Sequence, residues 1–595
     1  MINVNYQKRK NLEVFKGLES SKSLFISNAQ NYIPIYNKFF SLNETNYNNV
    51  NLNHKWYLTD VCETNEENPN LLKCKVKNST NNKIKEKDVF FKMAPMIDPY
   101  KFLIGKYSVH NEKIFSLPQL NNTDLDCYEK FLDMNNCAYV DGLFAYFSSN
   151  LLYTHNFYHG VDYYGSFLGI KNNFTINVFD DIEYLNNSDF FNKNKSTMFK
   201  VDDYEYLFQN ENTKLKPIII GNNVSAKSQV SINSFNDEIY EDIFDKNTIH
   251  LNDLKNMSGD LVDITNVDLN EHKKSNESIT LKSTSSCSSR SSHTENEEDC
   301  EENQNASGVD SDSENDVWED EASDEASNEE SDEDDELSFE EEKINVTIPK
   351  FPVQVICMEY CEDTFDNLIL NNDLTKDEWF SALMQIIMIL ITYQKAFNFT
   401  HNDLHTNNVM YNQTDRKFIY YCYKKKYYKV PTFGRIFKII DFGRSIYKFN
   451  SAIFCSDSFQ AGGDAATQYN TEPYLNDKKP RLEPNYSFDL CRLACSIFDY
   501  VIEDFSEIKD VSKCKDPVKR IIFEWCLDDN GVNMLYKNNG QDRYPDFKLY
   551  KMIARCVHNH TPQAQLERPE FDNYSKFKDD VPTDIINIDV IPSYI

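Results

Sequence analysis

Asp403, Asn408 and Asp441 are the residues whose types and spacing best suit them to do chemistry. The first two lie in FTHNDLHTNNVM, a carboxylate and an amide five positions apart, and the third opens the Asp-Phe-Gly of KIIDFGRSI. One carboxylate can orient a hydroxyl nucleophile, while an amide oxygen and a second carboxylate can hold a hard divalent cation over phosphate oxygens. Phosphoryl transfer from a nucleotide requires that set. His405, two residues after Asp403, is a candidate to contact the transferred phosphate. Either stretch alone carries little, because Asp-Phe-Gly is common and a His-x-Asp followed by Asn can simply close a turn. Their order and their flanks give them weight.

Regular elements must hold these residues in place. Trp379, Leu383, Ile386, Leu390 and Tyr393 recur at helical spacing through DEWFSALMQIIMILITYQKAF, which predicts a long buried helix ending just before Asp403. Phe437, Ile439 and Ile440 form an apolar, β-favouring run that predicts a strand delivering Asp441 from its end. Nearer the N-terminus, KWYLTDV, LLKCKVK and DVFFKMAP read as a meander of strands, with NSTNNKIKEK as a hairpin turn. Lys92 stands on the last of these strands, where an ammonium can reach toward α- and β-phosphates. Its carboxylate partner belongs on the next helix. Asp141, in AYVDGLFAYFSSNLLYTHN and one methylene shorter than the usual Glu, is one candidate, and Glu129 is the other. YYGSFLGI predicts the following strand, and FPVQVICMEYCEDT resumes after a long interruption. Met358, Glu359, Tyr360 and Cys361 then stand where backbone amide and carbonyl groups can read an adenine edge.

The formal net charge is -33, yet residues 295 to 342 hold 25 Asp or Glu and no Lys or Arg, leaving -8 for the rest. A mildly acidic body lacks the basic face of a nucleic-acid binder, so no nucleic-acid partner is expected. Fifteen Cys at irregular spacing, with no CxxC pair and no signal-peptide pattern over Met1 to Lys10, predict reduced thiols in an intracellular protein. Cys556, His558 and His560 have no second ligand pair nearby, so no zinc is expected. The longest strongly apolar run, Leu383 to Ile391, falls short of the roughly 20 residues of a membrane span, and a soluble chain with no membrane partner is expected. Residues 283 to 342, a Ser cluster followed by the acidic run, cannot bury enough apolar surface to offset the entropy of ordering. They predict a disordered tract that could attract a basic protein partner.

With these parts in order, the chain resembles the eukaryotic-type protein kinase superfamily over residues 50 to 580, outside the long insertion. THNDLHTNN, VPTFGRIFKIIDFGRSIY and FCSDSFQAGGDAATQYN, with the Asn-rich bias, look most like the kinase-like proteins of large DNA viruses. The resemblance implies an α+β, bilobal protein-kinase-like fold with a small β-rich lobe, a large helical lobe and a long, partly disordered acidic insertion in the small lobe. The chain then divides into an N-terminal extension (1–45), the first part of the small lobe (46–170), the insertion (171–344), the last small-lobe strand and hinge (345–361), the large lobe (362–580) and a tail (581–595).

By the same resemblance the chain is an ATP- and magnesium-dependent Ser/Thr protein kinase acting on a protein substrate, located in a host cytoplasm or a virion. Asp403 and His405 are then catalytic. Lys92, Met358, Glu359, Tyr360, Cys361, Asn408 and Asp441 bind ATP, with magnesium on Asn408 and Asp441. Asp489 would brace the catalytic loop, and Arg568 of an Arg-Pro pair would meet Glu472 or Glu483.

Three departures keep other readings open. No glycine occurs between Gly17 and Gly105, so the Gly-rich phosphate loop expected before Lys92 is absent. His405 stands where a Lys is common, and the resulting Asp-Leu-His also occurs in phosphotransferases of the aminoglycoside and choline type and in some divergent protein kinases, which leaves a small hydroxylated acceptor as an alternative. Asn402 replaces the Arg that grips a phosphorylated activation segment. The missing glycines also leave room for a catalytically weak pseudokinase scaffold.

Overall fold

The computed structural model describes residues 2–64, 68–107, 112–123, 126–207, 343–502, 514–537, 540–545, 547–577 and 580–595. The acidic tract expected over 283–342 lies outside them.

Alternating burial builds the N-terminal half. Strands β1 (Ile26–Gln30), β2 (Trp56–Thr64), β3 (Leu71–Asn78), β4 (Ile84–Pro95), β5 (Tyr163–Asn177), β6 (Lys200–Val201) and β7 (Asn345–Glu359) form one antiparallel seven-stranded sheet. Its order is β1-β5-β7-β4-β3-β2, with β6 pairing the start of β7. The register sets Lys92 opposite Ile356, Phe90 opposite Met358 and Ala94 opposite Gln354, so by the two-residue side-chain period these six share one face. Helix α1 (Cys137–His155) covers that face, started by the Asn136 cap on Ala138 N–H and ended by Asn156 in the left-handed conformation. The expected interruption hangs from a long strand pair, because β5 and β7 stay in register from Gly165/Cys357 out to Asn177/Asn345. Beyond Asn177, residues 178–207 add short helices packed around Phe191 and Phe199, whose rings stack at 5.3 Å.

The first 45 residues, expected as an extension outside the small lobe, include a helix, Leu12–Ser20, and also supply β1 at the edge of the sheet. Phe15 from that helix meets Phe167 of β5 edge-to-face at 5.4 Å, on the side of the sheet away from α1.

The C-terminal half is rich in helices. Thr375 and Glu378 close a capping box at the start of α2 (Lys376–Phe397), and Asn398 at φ 53° ends it. This helix is long and apolar enough to cross a membrane, but 94% of its apolar window is buried inside the protein, as in a core helix. It packs against α4 (Pro517–Trp525), which in turn packs on α3 (Phe488–Val501), and α5 (Lys548–Cys556) lies against α3. Strands β8 (Val409–Gln413) and β9 (Arg435–Ile439) pair antiparallel between α2 and Asp441. The architecture is therefore α+β, with an N-terminal β-rich region and a C-terminal helix-rich region, consistent with a kinase-like bilobal fold.

Candidate active site

The segment after α2 is shaped by a buried carboxylate. Asp489, in the first turn of α3, accepts the backbone N–H of His401 and of Asn402, both at 2.9 Å. One carboxylate thereby satisfies two adjacent amides while Asn402 adopts φ +64°, a left-handed conformation that Asn tolerates better than most residues. Asn402 itself donates to the Arg444 carbonyl at 3.0 Å and accepts the Tyr469 hydroxyl at 2.9 Å. No cation stands at that position, and the polar side chain instead joins the loop to the segment after Asp441.

Asp403 follows with both carboxylate oxygens engaged. Tyr550 of α5 donates its hydroxyl to Oδ1 at 2.8 Å, and Nη1 of Arg444 lies 3.4 Å from Oδ2. Burial alone would raise the pKa of this acid. Arg444, then His405 and Arg492, outweigh it and hold the group down to about 2. Asn408 donates from Nδ2 to the Asp403 carbonyl at 2.9 Å and toward His405 Nε2 at 3.1 Å. Burial lowers the His405 pKa to about 4, so its ring is neutral near pH 7 and can accept that bond.

On the small-lobe side, Lys92 Nζ lies 2.6 Å from Asp141 Oδ2 and 2.9 Å from Asp441 Oδ1. Asp141 also accepts the backbone N–H of Phe442 at 3.0 Å. Burial pulls the lysine pKa down, but the two carboxylates, Asp141 first, more than reverse this and keep the ammonium charged. Of the two candidate acids, geometry selects Asp141. Glu129 belongs to a three-residue turn, Glu129–Phe131, ahead of α1. The missing methylene is made up by close approach: a Cβ on the neighbouring Gly142 would lie 2.0 Å from Gln354 Nε2, so glycine lets α1 press against β7. Phe144, one turn on, stacks on Phe399 at 4.3 Å and meets Phe442 at 4.6 Å, tying α1 to both motif segments.

Met358, Glu359, Tyr360 and Cys361 lie at the end of β7, where the chain crosses to the helical region. Met358 is buried opposite Phe90, and Tyr360 is exposed. Glu359 is occupied structurally. Its N–H donates to the Asp162 carbonyl at 2.8 Å, and its carboxylate takes the buried Lys438 ammonium of β9 at 2.7 Å. The connection between β2 and β3 contains no glycine, and its residues 65–67 lie outside the described ones.

Sequence reasoning missed several partners. Asp464 pairs with Arg444 at 2.6 Å, both side chains buried. Asp457 accepts the Cys137 N–H at 2.9 Å and pairs with Lys130 at 3.2 Å, which fixes the segment after Asp441 to the start of α1. Nothing local marks Tyr550, which sits in a helix that reads only as amphipathic. Arg568 pairs with Glu524 of α4, not with Glu472 or Glu483, and Glu483 is taken by Thr471 and Arg481. His558 meets Asp529 at 2.6 Å, and His560 donates to the Leu527 carbonyl at 2.8 Å.

No protein-family model matches the chain. It is 26% identical over 183 residues to the uncharacterized protein 098R of Invertebrate iridescent virus 6, an alignment covering 30% of this chain and 26% of that protein. The chain thus has a distant viral homologue, of which it matches about a quarter of the length.

Proposed function

We propose that this protein is a phosphotransferase that moves the γ-phosphate of ATP to a Ser or Thr hydroxyl of a protein substrate. The observation that carries the reading is the meeting of Lys92 with Asp141 and Asp441, at 2.6 and 2.9 Å, from three distant parts of the sequence. In this reading Lys92 binds the α- and β-phosphates and Asp403 orients the acceptor hydroxyl. With its pKa held to about 2, Asp403 acts by position more than by basicity. The neutral His405 offers a hydrogen bond to the γ-phosphate, and the backbone from Met358 to Cys361 reads adenine.

The donor set fits magnesium. Asn408 spends its Nδ2 hydrogens on Asp403 and His405, which leaves its amide oxygen, and Asp441 adds a carboxylate, both hard oxygen donors. Bound magnesium would neutralise charge on the phosphate oxygens. A non-catalytic scaffold reading is favoured by one observation, the glycine-free β2–β3 connection.

Transfer from labelled ATP to a mixed Ser/Thr peptide library, with a magnesium-dependent nucleotide thermal shift, tests the proposal. Asp441→Asn should abolish transfer and lower the melting midpoint only modestly, since Lys92 loses its 2.9 Å partner but keeps Asp141 at 2.6 Å. Transfer at wild-type rate by that variant would refute the assignment. Absence of any nucleotide shift in the wild type at millimolar ATP would favour the scaffold.

A further inference from the structure

The Asp403 carboxylate is gripped from two sides by residues far away in the sequence. Tyr550 donates to Oδ1 at 2.8 Å, and Arg444 approaches Oδ2 at 3.4 Å. The terminal torsion of an Asp side chain is broad and roughly two-fold, so a carboxylate without such partners turns easily. Here neither partner is loose. Tyr550 stacks on Phe547 with centroids 4.8 Å apart and rings 6° from parallel, and the Arg492 guanidinium of α3 lies 4.9 Å from the Tyr550 ring centre. Arg444 is anchored behind by buried Asp464 at 2.6 Å, and its carbonyl takes the Asn402 amide. Each carboxylate oxygen has a second acceptor site, so both grips can persist while a substrate hydroxyl binds.

We propose that Tyr550 is a positioning residue for phosphotransfer, which together with Arg444 sets the orientation of Asp403 toward the acceptor hydroxyl. This rests on the phosphotransferase reading above. It gives α5, outside both motif segments, a part in the reaction, and it lets the large lobe orient the loop carboxylate without a lysine at the position of His405. The hydroxyl matters here and the ring is its carrier.

Tyr550→Phe in the full chain separates the two, because it keeps the stacking and deletes the hydroxyl, which donates to Asp403 and also meets the Arg492 guanidinium. With labelled ATP and the mixed Ser/Thr peptide library, kcat should fall about tenfold or more, as expected for a lost hydrogen bond to a charged group. KM for ATP and for peptide should stay within about twofold, and so should nucleotide affinity by thermal shift. Phe547→Leu, which disturbs the stack and spares the hydroxyl, serves as the packing control. The proposal is overturned if Tyr550→Phe leaves kcat within twofold, or raises it, which would make the phenol a plug over the acceptor site. It is also overturned if only the peptide KM rises, or if kcat falls no further than in Phe547→Leu at equal loss of melting midpoint. A wild type without magnesium-dependent transfer removes the phosphotransferase reading and this role with it, whereas an active wild type indifferent to Tyr550→Phe removes this role alone.

Discussion

Gly142→Ala should uncouple Lys92 from Asp141, and the size of the effect follows from the packing. The added Cβ would sit 2.0 Å from Gln354 Nε2, and ordinary contact begins at 3.4 Å; with that amide buried and held to Ser166 Oγ at 3.3 Å, clearing it by helix movement takes about 1.4 Å. Moved outward by that amount, α1 would stretch the 2.6 Å contact of Asp141 with Lys92 to about 4 Å, past hydrogen-bonding range. At an effective dielectric of about 20, attraction between unit charges falls from roughly 6 to roughly 4 kcal/mol over that change, a loss of about 2 kcal/mol. Alanine returns up to about 1 kcal/mol in helix propensity. The net expectation is a destabilisation of about 1–2 kcal/mol by urea unfolding and, if the loss appears in positioning, a fall in turnover of up to about 30-fold.

Asp141→Glu alone should also be harmful, because the longer acid overfills a gap fitted to Asp, at about 1–3 kcal/mol. Together the two changes should partly cancel, since one extra C–C bond of about 1.5 Å spans the distance that Ala opens. A double-mutant cycle over unfolding free energy and kcat should therefore give a favourable coupling of at least about 1 kcal/mol. Gln354→Ala, which removes the obstructing amide, should suppress the Gly142→Ala defect. Additive effects in the cycle, or a Gly142→Ala protein with wild-type turnover and stability, would refute the close-approach argument.

Phosphatase treatment of active enzyme should leave its rate within about twofold, because Arg444 already has the buried carboxylate of Asp464 at 2.6 Å and Asn402 offers a phosphate no cation. Asp464→Asn should instead cost about 1.5–3 kcal/mol in chemical unfolding, the worth of a hydrogen bond to a charged group, because Arg444 keeps the Asp403 carboxylate at 3.4 Å. A large loss on dephosphorylation would show that another basic residue clamps the segment. His159 should make the fold acid-sensitive. It is fully buried between the Phe437 carbonyl and the Tyr421 hydroxyl, each at 2.7 Å, and burial lowers its pKa to about 3. Below the unfolded value of about 6.5 the unfolded chain binds the extra proton, so this stability is fully present above pH 6.5 and is lost as pH falls toward 3. At pH 5.5 the loss should approach about 1.4 kcal/mol. Urea midpoints across pH 5 to 7 should show the slope, and His159→Gln, which cannot take the proton, should flatten it by about one proton's worth.

What the sequence made legible was local. The apolar period before Asp403, the β run before Asp441 and the strand alternation around Lys92 are contiguous patterns, and each element formed near where it was read, although the Lys92 strand starts at Ile84, inside the stretch NSTNNKIKEK expected as a turn. The N-terminal strand was hidden because Ile26–Gln30 is a polar edge strand, with Asn28 at φ +56° interrupting its alternation. The choice between Asp141 and Glu129 could not be made from the acids themselves. It depends on how near α1 comes to β7, and that distance is fixed by a glycine on one element and the tip of a glutamine on the other. Arg568 shows the same limit, since motif logic points its guanidinium at the segment after Asp441 whereas helix packing presents it to Glu524. Tyr550 is the strongest case. Along its own helix it is one aromatic among amphipathic neighbours, and only the placement of α5 beneath the loop turns a phenol toward Asp403. Residue types can nominate the groups that bear charge, but the groups that orient them are chosen by tertiary distances of 1–2 Å, finer than any spacing rule along the chain resolves.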